Sequence, residues 1–306
     1  MIGPDGDDPP GPSGGRTALL INARSRLGYR AGAVVASALR RHGLELDKVL
    51  RVRRPSRLRD AVEAILDVGV DRLIVGGGDG TLGTVASRLA LSPVRFGVIP
   101  LGTANDFART LGIPSDLHRA AEIAAGSHVR PIDMARANGC YFLNVASIGL
   151  SVATTRLMSN RLKRWFGPAA YAFAGAMAFA RHPTFHARLD SPGGSSELRI
   201  HQLVVGNGRF YGGGVLVSGG STLDDGTLAI YTLGARGRWT LLRTVALLRL
   251  GIPLDRPGDI FLQSPEVFVT TQPQGLAVNL DGEIRTRTPV RFSVVPGAIQ
   301  VLTPPP

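Results

Sequence analysis

Short apolar runs alternate with helix-period segments over the first third of this chain, and that alternation constrains the fold more than any other feature. "TALLIN" (17–22) is an apolar run of strand length. A polar loop follows, then a helical pattern through Ala33, Val34, Ala36 and Leu39, with Gly43 as its stop. "RLRDAVEAILDVG" (57–69) is another helix with a glycine just past its end. "RLIVG" (72–76) reads as a buried strand, "TLGTVASRLAL" (81–91) as a helix and "RFGVIP" (95–100) as a strand. "DFARTLG" (106–112) is a helix ended by Gly112 and Pro114. Strands separated by helices require a parallel sheet with covered faces. Ligands of such sheets collect where loops leave the carboxyl ends of the strands.

Beyond about residue 130 the texture changes. "CYFLNVASIG", "SELRIHQLVVGNG", "TLAIYTL", "EVFVTTQ", "LAVNLDG", "PVRFSVVPG" and "AIQVLT" are short β-rich runs separated by turn residues, the pattern of an antiparallel sandwich or barrel. Two helix-like inserts, roughly 154–181 and 237–250, interrupt it. The expected organisation is a tail over 1–15, an α/β domain over 16–130 and a β-rich domain over 131–303. The tail, "MIGPDGDDPPGPSGG", is acidic and rich in Pro and Gly with no apolar segment, so it reads as disordered and not as a signal peptide.

No window reaches the roughly 18 consecutive apolar residues of a membrane span. The single cysteine, Cys140, rules out an internal disulfide and fits a reducing cytosol, with Cys140 itself expected to be a small core residue. Lys and Arg total 35 against 23 acids, a net charge of +12, and all of the 35 but Lys48 and Lys163 are arginines. Such an excess suits nucleotide phosphates, nucleic acid or an anionic membrane surface. Nucleic acid is disfavoured by the sparse aromatics and by the lack of a helix–turn–helix or zinc pattern. Neither lysine follows a glycine loop, which excludes a GxxxxGK[ST] phosphate loop. His182 and His186 flank Pro183 and cannot form an HExxH-type metal site, and no GxSxG elbow occurs.

The loop "GGGDGTLG" (76–83) leaves a strand and enters a helix, the setting in which backbone N–H groups hold phosphate. Its GxGxxG spacing suggests a dinucleotide fold, but the next strand ends in Pro100, Leu101 and Gly102 where that fold needs an acid for the ribose. Asp79 in the middle of the loop has two readings. A carboxylate beside phosphate requires Mg²⁺ between them, whereas an aspartate can also cap the helix that starts near Thr81. The following loop, "IPLGTANDFAR" (99–109), repeats the combination of Gly, Thr and Asp, with Asn105 or Asp106 readable as plain N-caps. Two neighbouring loops of this kind converge on one crevice, as a Mg–nucleotide site needs.

"GGGDGT" together with "PLGTANDFAR" resembles the diacylglycerol kinase catalytic-domain family, in its bacterial soluble lipid-kinase branch, which is also similar to sphingosine kinases. "LLINARSRLG", "RPID" (130–133), "FLNVASIGL" (142–150), "VGNGRFYGGG" (205–214), "DDGTL" (224–228) and "VNLDGE" (278–283) continue the resemblance over most of 17–303. It implies an α/β domain like that of phosphofructokinases and NAD kinases, a β-sandwich after it, and ATP with Mg²⁺ in the cleft. It places Asn22 and Ser25 in the first nucleotide loop, lets Gly76, Gly77, Gly78, Asp79, Gly80, Thr81 and Leu82 cradle phosphates, and puts Thr103 and Asn105 at the nucleotide. Asp79 and Asp106 join a metal–water network, and a structural Mg²⁺ sits at the "DDG" turn with Asp225, Thr222 and Thr227. Many members carry Asn-Glu where this chain has Gly83 and Thr84.

A kinase acting on an alcohol needs a base near the hydroxyl. "LAVNLDGEI" offers Asp281 and Glu283 around a glycine turn, and Asp-Gly is also an ordinary hairpin turn. With the resemblance, Asp281 is the expected general base and Glu283 a partner in the metal network, with the roles exchangeable. Met158, Leu162, Trp165 and Ala169 fall at helical spacing among Arg156, Arg161, Lys163 and Arg164, and 236–251 repeats the theme with Trp239. Basic amphipathic helices of this kind lie at membrane interfaces. The expectation is a cytoplasmic ATP-dependent lipid kinase, acting on diacylglycerol or a related lipid at the anionic inner membrane surface, with no nucleic acid partner and a homodimer left open. An NAD kinase-like enzyme and an inactive lipid- or nucleotide-binding relative are the alternatives.

Overall fold

The computed structural model describes residues 15–23, 26–150, 184–207, 210–211, 215–216, 222–234 and 261–305. Four strands, β1 (Thr17–Asn22), β2 (Lys48–Val52), β3 (Arg72–Gly77) and β4 (Arg95–Pro100), form the parallel part of the sheet in the order β2-β1-β3-β4. Five α-helices alternate with or follow them: α1 (Arg26–Arg41), α2 (Leu58–Leu66), α3 (Asp79–Leu89), α4 (Asp106–Thr110) and α5 (Leu117–Ala125). β1 and β3 are apolar on both faces because helices cover both. Leu20, Ile74 and Phe96 from the strands pack with Leu39, Ile65, Leu82 and Phe107 from the helices into one core. Helix α1 ends on Arg40 and Arg41, which suit the carboxyl end of its dipole, and on Gly43, whose φ of 76° closes the turn.

The remaining strands are β5 (Val129–Ala137), β6 (Cys140–Phe142), β7 (Val145–Gly149), β8 (Phe185–Ser191), β9 (Gly194–Gly206), β10 (Phe210–Tyr211) and β11 (Val215–Leu216). Then come β12 (Leu228–Gly234), β13 (Phe261–Ser264), β14 (Glu266–Gln272), β15 (Ala277–Leu280), β16 (Glu283–Arg287) and β17 (Val290–Leu302). They run in the order β16-β15-β7-β9-β8-β14-β17, with antiparallel neighbours throughout. β12 joins through β9 and carries β13, while β5 joins through β17 and carries β6. Their buried faces form a second core in which Phe142 meets Phe292 edge to face, with Cys140 packed at its margin. The expected parallel α/β part followed by an antiparallel β part is the observed architecture.

β17 connects the two parts. Near its end Gln300 and Val301 pair in parallel with Arg95 and Phe96 of β4, while its earlier residues pair antiparallel with β14, and β5 runs antiparallel along most of its length. One sheet therefore passes from the parallel, glycine-loop side to the β-rich side without a break in hydrogen bonding. Among the described residues no helix is long and apolar enough to cross a membrane. The basic amphipathic segments expected at 156–179 and 236–251 lie outside the described residues, as does Ser25.

Candidate active site

Glycines at two loop tips bring the carboxyl ends of β3 and β4 into contact. Leu101 N donates to Gly77 O at 2.9 Å, extending the β3–β4 ladder. Beyond it the backbones of Gly78 and Gly102 touch: a β-carbon on Gly102 would lie 2.6 Å from Gly78 Cα, and one on Gly78 would lie 3.0 Å from Gly102 Cα. Only glycine at both places lets the loops close on each other. Asn105, with a left-handed φ of 51°, fixes the second loop; its Oδ1 accepts from Gly102 N at 2.8 Å and its Nδ2 donates to Gly102 O at 3.0 Å. Thr103 is exposed at the tip of the same loop.

Helix α3 begins at Asp79, two residues earlier than the sequence pattern suggests, with Gly78 at the N-cap position. Asp79 therefore does not cap its own helix. Its Oδ1 instead accepts from Phe107 N at 3.1 Å and so caps α4 across the gap between the loops. Its carboxylate makes no ion pair among the described residues. Thr81 N and Leu82 N both bond to Gly78 O, so the open N–H groups at the helix start are those of Asp79 and Gly80. Leu82 is buried in the core, and Gly76 and Gly77 lie within β3, which leaves the half-buried Gly78 and Asp79 and the exposed Gly80 as the floor of the cradle. Asn22, at the end of β1, donates from Nδ2 to Thr81 Oγ1 at 2.7 Å and ties the first loop to this helix start. Asp106 is buried at the start of α4, with Oδ1 3.5 Å from Arg109 Nη1.

The opposite wall is the β15–β16 hairpin. Leu280 pairs with Glu283 across a two-residue turn in which Asp281 and Gly282 have φ of 48° and 93°, the all-positive geometry for which Asp-Gly is suited. Asn279 Oδ1 accepts from Gly282 N at 2.8 Å and braces the turn. The hairpin reading and the site reading of this dipeptide thus describe the same object. Asp281 turns its carboxylate inward: Oδ2 accepts from Leu143 N at 2.6 Å, and Oδ1 accepts from Asn144 N at 2.9 Å and Val145 N at 3.0 Å. Burial pushes this carboxyl above the ordinary range, against the pull of the three N–H groups and of the Arg285 charge. A carboxylate has about four acceptor positions, so Oδ2 keeps one. That oxygen faces α3, where a β-carbon on Gly83 would lie 2.8 Å from it.

Gly80, Gly83 and Thr84 of α3, Tyr141 of β6, and Leu280, Asp281, Glu283 and Arg285 of the hairpin line one shallow cleft. The glycine loop and the LDGE turn are thereby brought together. Glu283 is half exposed and pairs with Arg285 Nη2 at 2.9 Å and Arg59 Nη2 at 3.6 Å, an arginine contact on each side. The DDG turn stands apart from the cleft lining. There Asp225 closes its own turn, accepting from Thr222 N, Thr227 N and Thr227 Oγ1 at 2.9, 2.9 and 2.8 Å. Both of its oxygens are thus engaged by donors of the turn. Among the described residues no group of three or more His, Cys, Asp or Glu is arranged to hold a metal ion.

One acid escaped the sequence reading as a functional candidate. Asp133 of "RPID" is buried, and its two oxygens accept from Gly226 N of the DDG turn and Gly297 N of β17, each at 2.9 Å. A buried acid inside a strand was the available signal, since such a group needs donors.

Residues 16–137 match the family described as diacylglycerol kinase catalytic domain, and residues 144–303 match the YegS C-terminal NAD kinase beta sandwich-like domain. The chain belongs to the diacylglycerol kinase catalytic-domain family. A protein of Pseudomonas syringae pv. tomato named "Probable lipid kinase YegS-like" is 34% identical over 293 residues, covering 94% of this chain and 93% of the relative. Its namesake in Pseudomonas aeruginosa is 35% identical over 291 residues, covering 94% of each. The crystal structure of a diacylglycerol kinase from Bacillus anthracis str. Sterne superposes with a TM-score of 0.77 at 25% identity, over 95% of this chain and 97% of that one. The glycine loops lie within the first of these two matched regions and the LDGE turn within the second.

Proposed function

We propose that this protein is an ATP-dependent lipid kinase that transfers the γ-phosphate to a lipid hydroxyl, with diacylglycerol or a related lipid as acceptor. One observation carries the reading: Gly80 of the glycine loop and Asp281, whose carboxylate is held by three backbone N–H groups, line a single shallow cleft. The lipid-kinase names of the relatives support the class of acceptor.

The cradle fits a nucleotide phosphate. Gly78 and Gly102 let the two loop tips meet, Gly80 beside them has open space around it, and the N–H groups of Asp79 and Gly80 are open at a helix N-terminus. Asp79, free of an ion pair among the described residues, suits a divalent cation carried by those phosphates, with Asp106 behind it. Magnesium bound with ATP supplies neutralisation of the charge on the transferred phosphoryl group. The chain's own groups do the rest. The α3 start orients the phosphates, and Asp281 Oδ2 receives the proton of the acceptor hydroxyl on its remaining acceptor position. Burial of Asp281 raises its basicity, and three backbone N–H groups keep its carboxylate aimed.

The lipid is met at the anionic inner face of a membrane. Arg156, Arg161, Lys163 and Arg164 supply positive charge beside Trp165. Arg53, Arg54, Arg57 and Arg59 add an exposed arginine surface, with Arg59 beside the cleft through Glu283. Each basic residue near an anionic leaflet contributes about 1 kcal/mol. The test is labelled ATP with a total lipid extract, followed by mass identification of the product. Label in a lipid phosphate supports the proposal; label in NAD, or in nothing, defeats it. Anionic vesicles should bind the protein and release it with salt, while neutral vesicles should not.

A further inference from the structure

β9 ends at Gly206, and the next residue, Asn207, is only 3% exposed. Both protons of its amide are in use: Nδ2 donates to Asp133 O at 2.8 Å and to Leu143 O at 3.1 Å. Its backbone N–H donates to Asn144 O at 2.8 Å. Leu143 and Asn144 are the residues whose N–H groups hold the carboxylate of Asp281. Asn207 therefore grips the carbonyl side of a short segment that presents its N–H side to Asp281.

The other end of the grip is anchored. Asp133 N donates to Leu223 O at 2.7 Å, and the Asp133 carboxylate holds Gly226 and Gly297, both with positive φ. The anchor is thus fastened to the DDG turn and to the bend in β17. Asparagine suits the position for a chemical reason. Two buried carbonyls, one in β5 and one in the link between β6 and β7, need two donors on one nitrogen; a carboxylate has none and a hydroxyl has one.

We infer that Asn207 is a positioning residue for the transfer reaction, fixing segment 143–145 so that its N–H groups aim Asp281 Oδ2 at the α3 wall of the cleft. Leu143 is the decisive link, because it supplies the only one of the three N–H groups that bonds Oδ2, the oxygen facing Gly83. Without the amide, two buried carbonyls lose a donor and Leu143 is free to shift. The inference rests on Asp281 acting as the base.

The test compares five variants of the full chain under saturating nucleotide. Asn207→Ala and Asn207→Asp, the second retaining shape but offering no donor, should each lower kcat about 10- to 100-fold, the scale of a misplacement near 1 Å. KM for ATP should stay within about twofold of the parent value. Val269→Ala, a buried truncation in β14, controls for lost stability and should change kcat little at a temperature where all variants are folded. In the Asp281→Asn background, Asn207→Ala should cost nothing further, since groups acting as a unit are not additive. Losses that multiply in the double variant, or an Asn207→Ala loss no larger than that of Val269→Ala, overturn the inference while leaving the base intact. Full turnover by Asp281→Asn alone overturns both.

Discussion

The glycine-loop region and the hairpin region hold their carboxylates in different ways. Asp79 sits at an open helix start, accepts one backbone N–H from the neighbouring loop and keeps its charge partly exposed. Asp281 accepts three N–H groups and has its charge opposed by desolvation. A carboxylate with one donor beside a glycine cradle is suited to a cation; one with three donors and a single remaining acceptor position is suited to a proton. Donor count, more than residue type, separates the two roles.

The sharpest break of that contrast is Asp281→Asn, expected to lower turnover by about 10²–10⁴ while ATP affinity changes little. Single-turnover kinetics with a calorimetric ATP titration decide it. Next comes the cradle. Gly102→Ala would drive a methyl group into Gly78 and Asn105, costing roughly 1–3 kcal/mol of stability and most of the nucleotide affinity. Gly80→Ala, with open space around the new carbon, should leave the melting temperature unchanged or higher. Equal effects of the two would mean that the loops are not in contact.

Asp79→Asn keeps an acceptor for Phe107 N but removes the charge. It should weaken Mg–ATP binding by roughly tenfold, on the order of the one to two kcal/mol of a charge-assisted contact, and metal-free ATP binding hardly at all. Equal small changes in both titrations would reduce Asp79 to a cap for α4.

A pH series probes the Asp281 wall directly. Because burial raises its pKa, stability from this group is full below the ordinary value of about 3.9 and is lost as pH rises through the raised folded value. Activity runs the other way, since a base must be ionised, so the acid limb of kcat/KM should lie above about 3.9. A limb at or below that value would mean that the three N–H groups outweigh burial. The smallest effect is expected at the rim, where Arg59→Ala removes a half-exposed contact and should change stability by less than about 1 kcal/mol.

Local features were the legible ones. The glycine loops, the stops at Gly43 and Gly112 and the Asp-Gly hairpin could be read because each depends on backbone geometry within a few residues. Helix α5 was passed over although its signal is present: Asp116 caps it by accepting from His118 N and Arg119 N, and Ala120, Ala121 and Ala124 form its buried face. Its fully buried residues are all alanine, with Leu117 and Ile123 only partly buried beside them, a stripe that periodicity registers weakly. β5 was hidden by Pro131 and Asp133, residues that disfavour strands until the distant glycines that receive Asp133 are known. The grip of Leu143 on Asp281 spans 138 positions, a distance at which local patterns carry no information.

The path of β17 has a consequence for how the chain is made. β4 pairs in parallel with β3 on one side and on the other with residues of β17 about 200 positions later, so synthesis leaves that side of the first sheet bare until β17 has been produced. At ~5–20 residues per second that interval is on the order of ten seconds or more. An exposed strand flank invites pairing with another nascent chain. The closing strand therefore acts as a late seal, and a chain cut before Ala298 would release a first half with an open, adhesive flank.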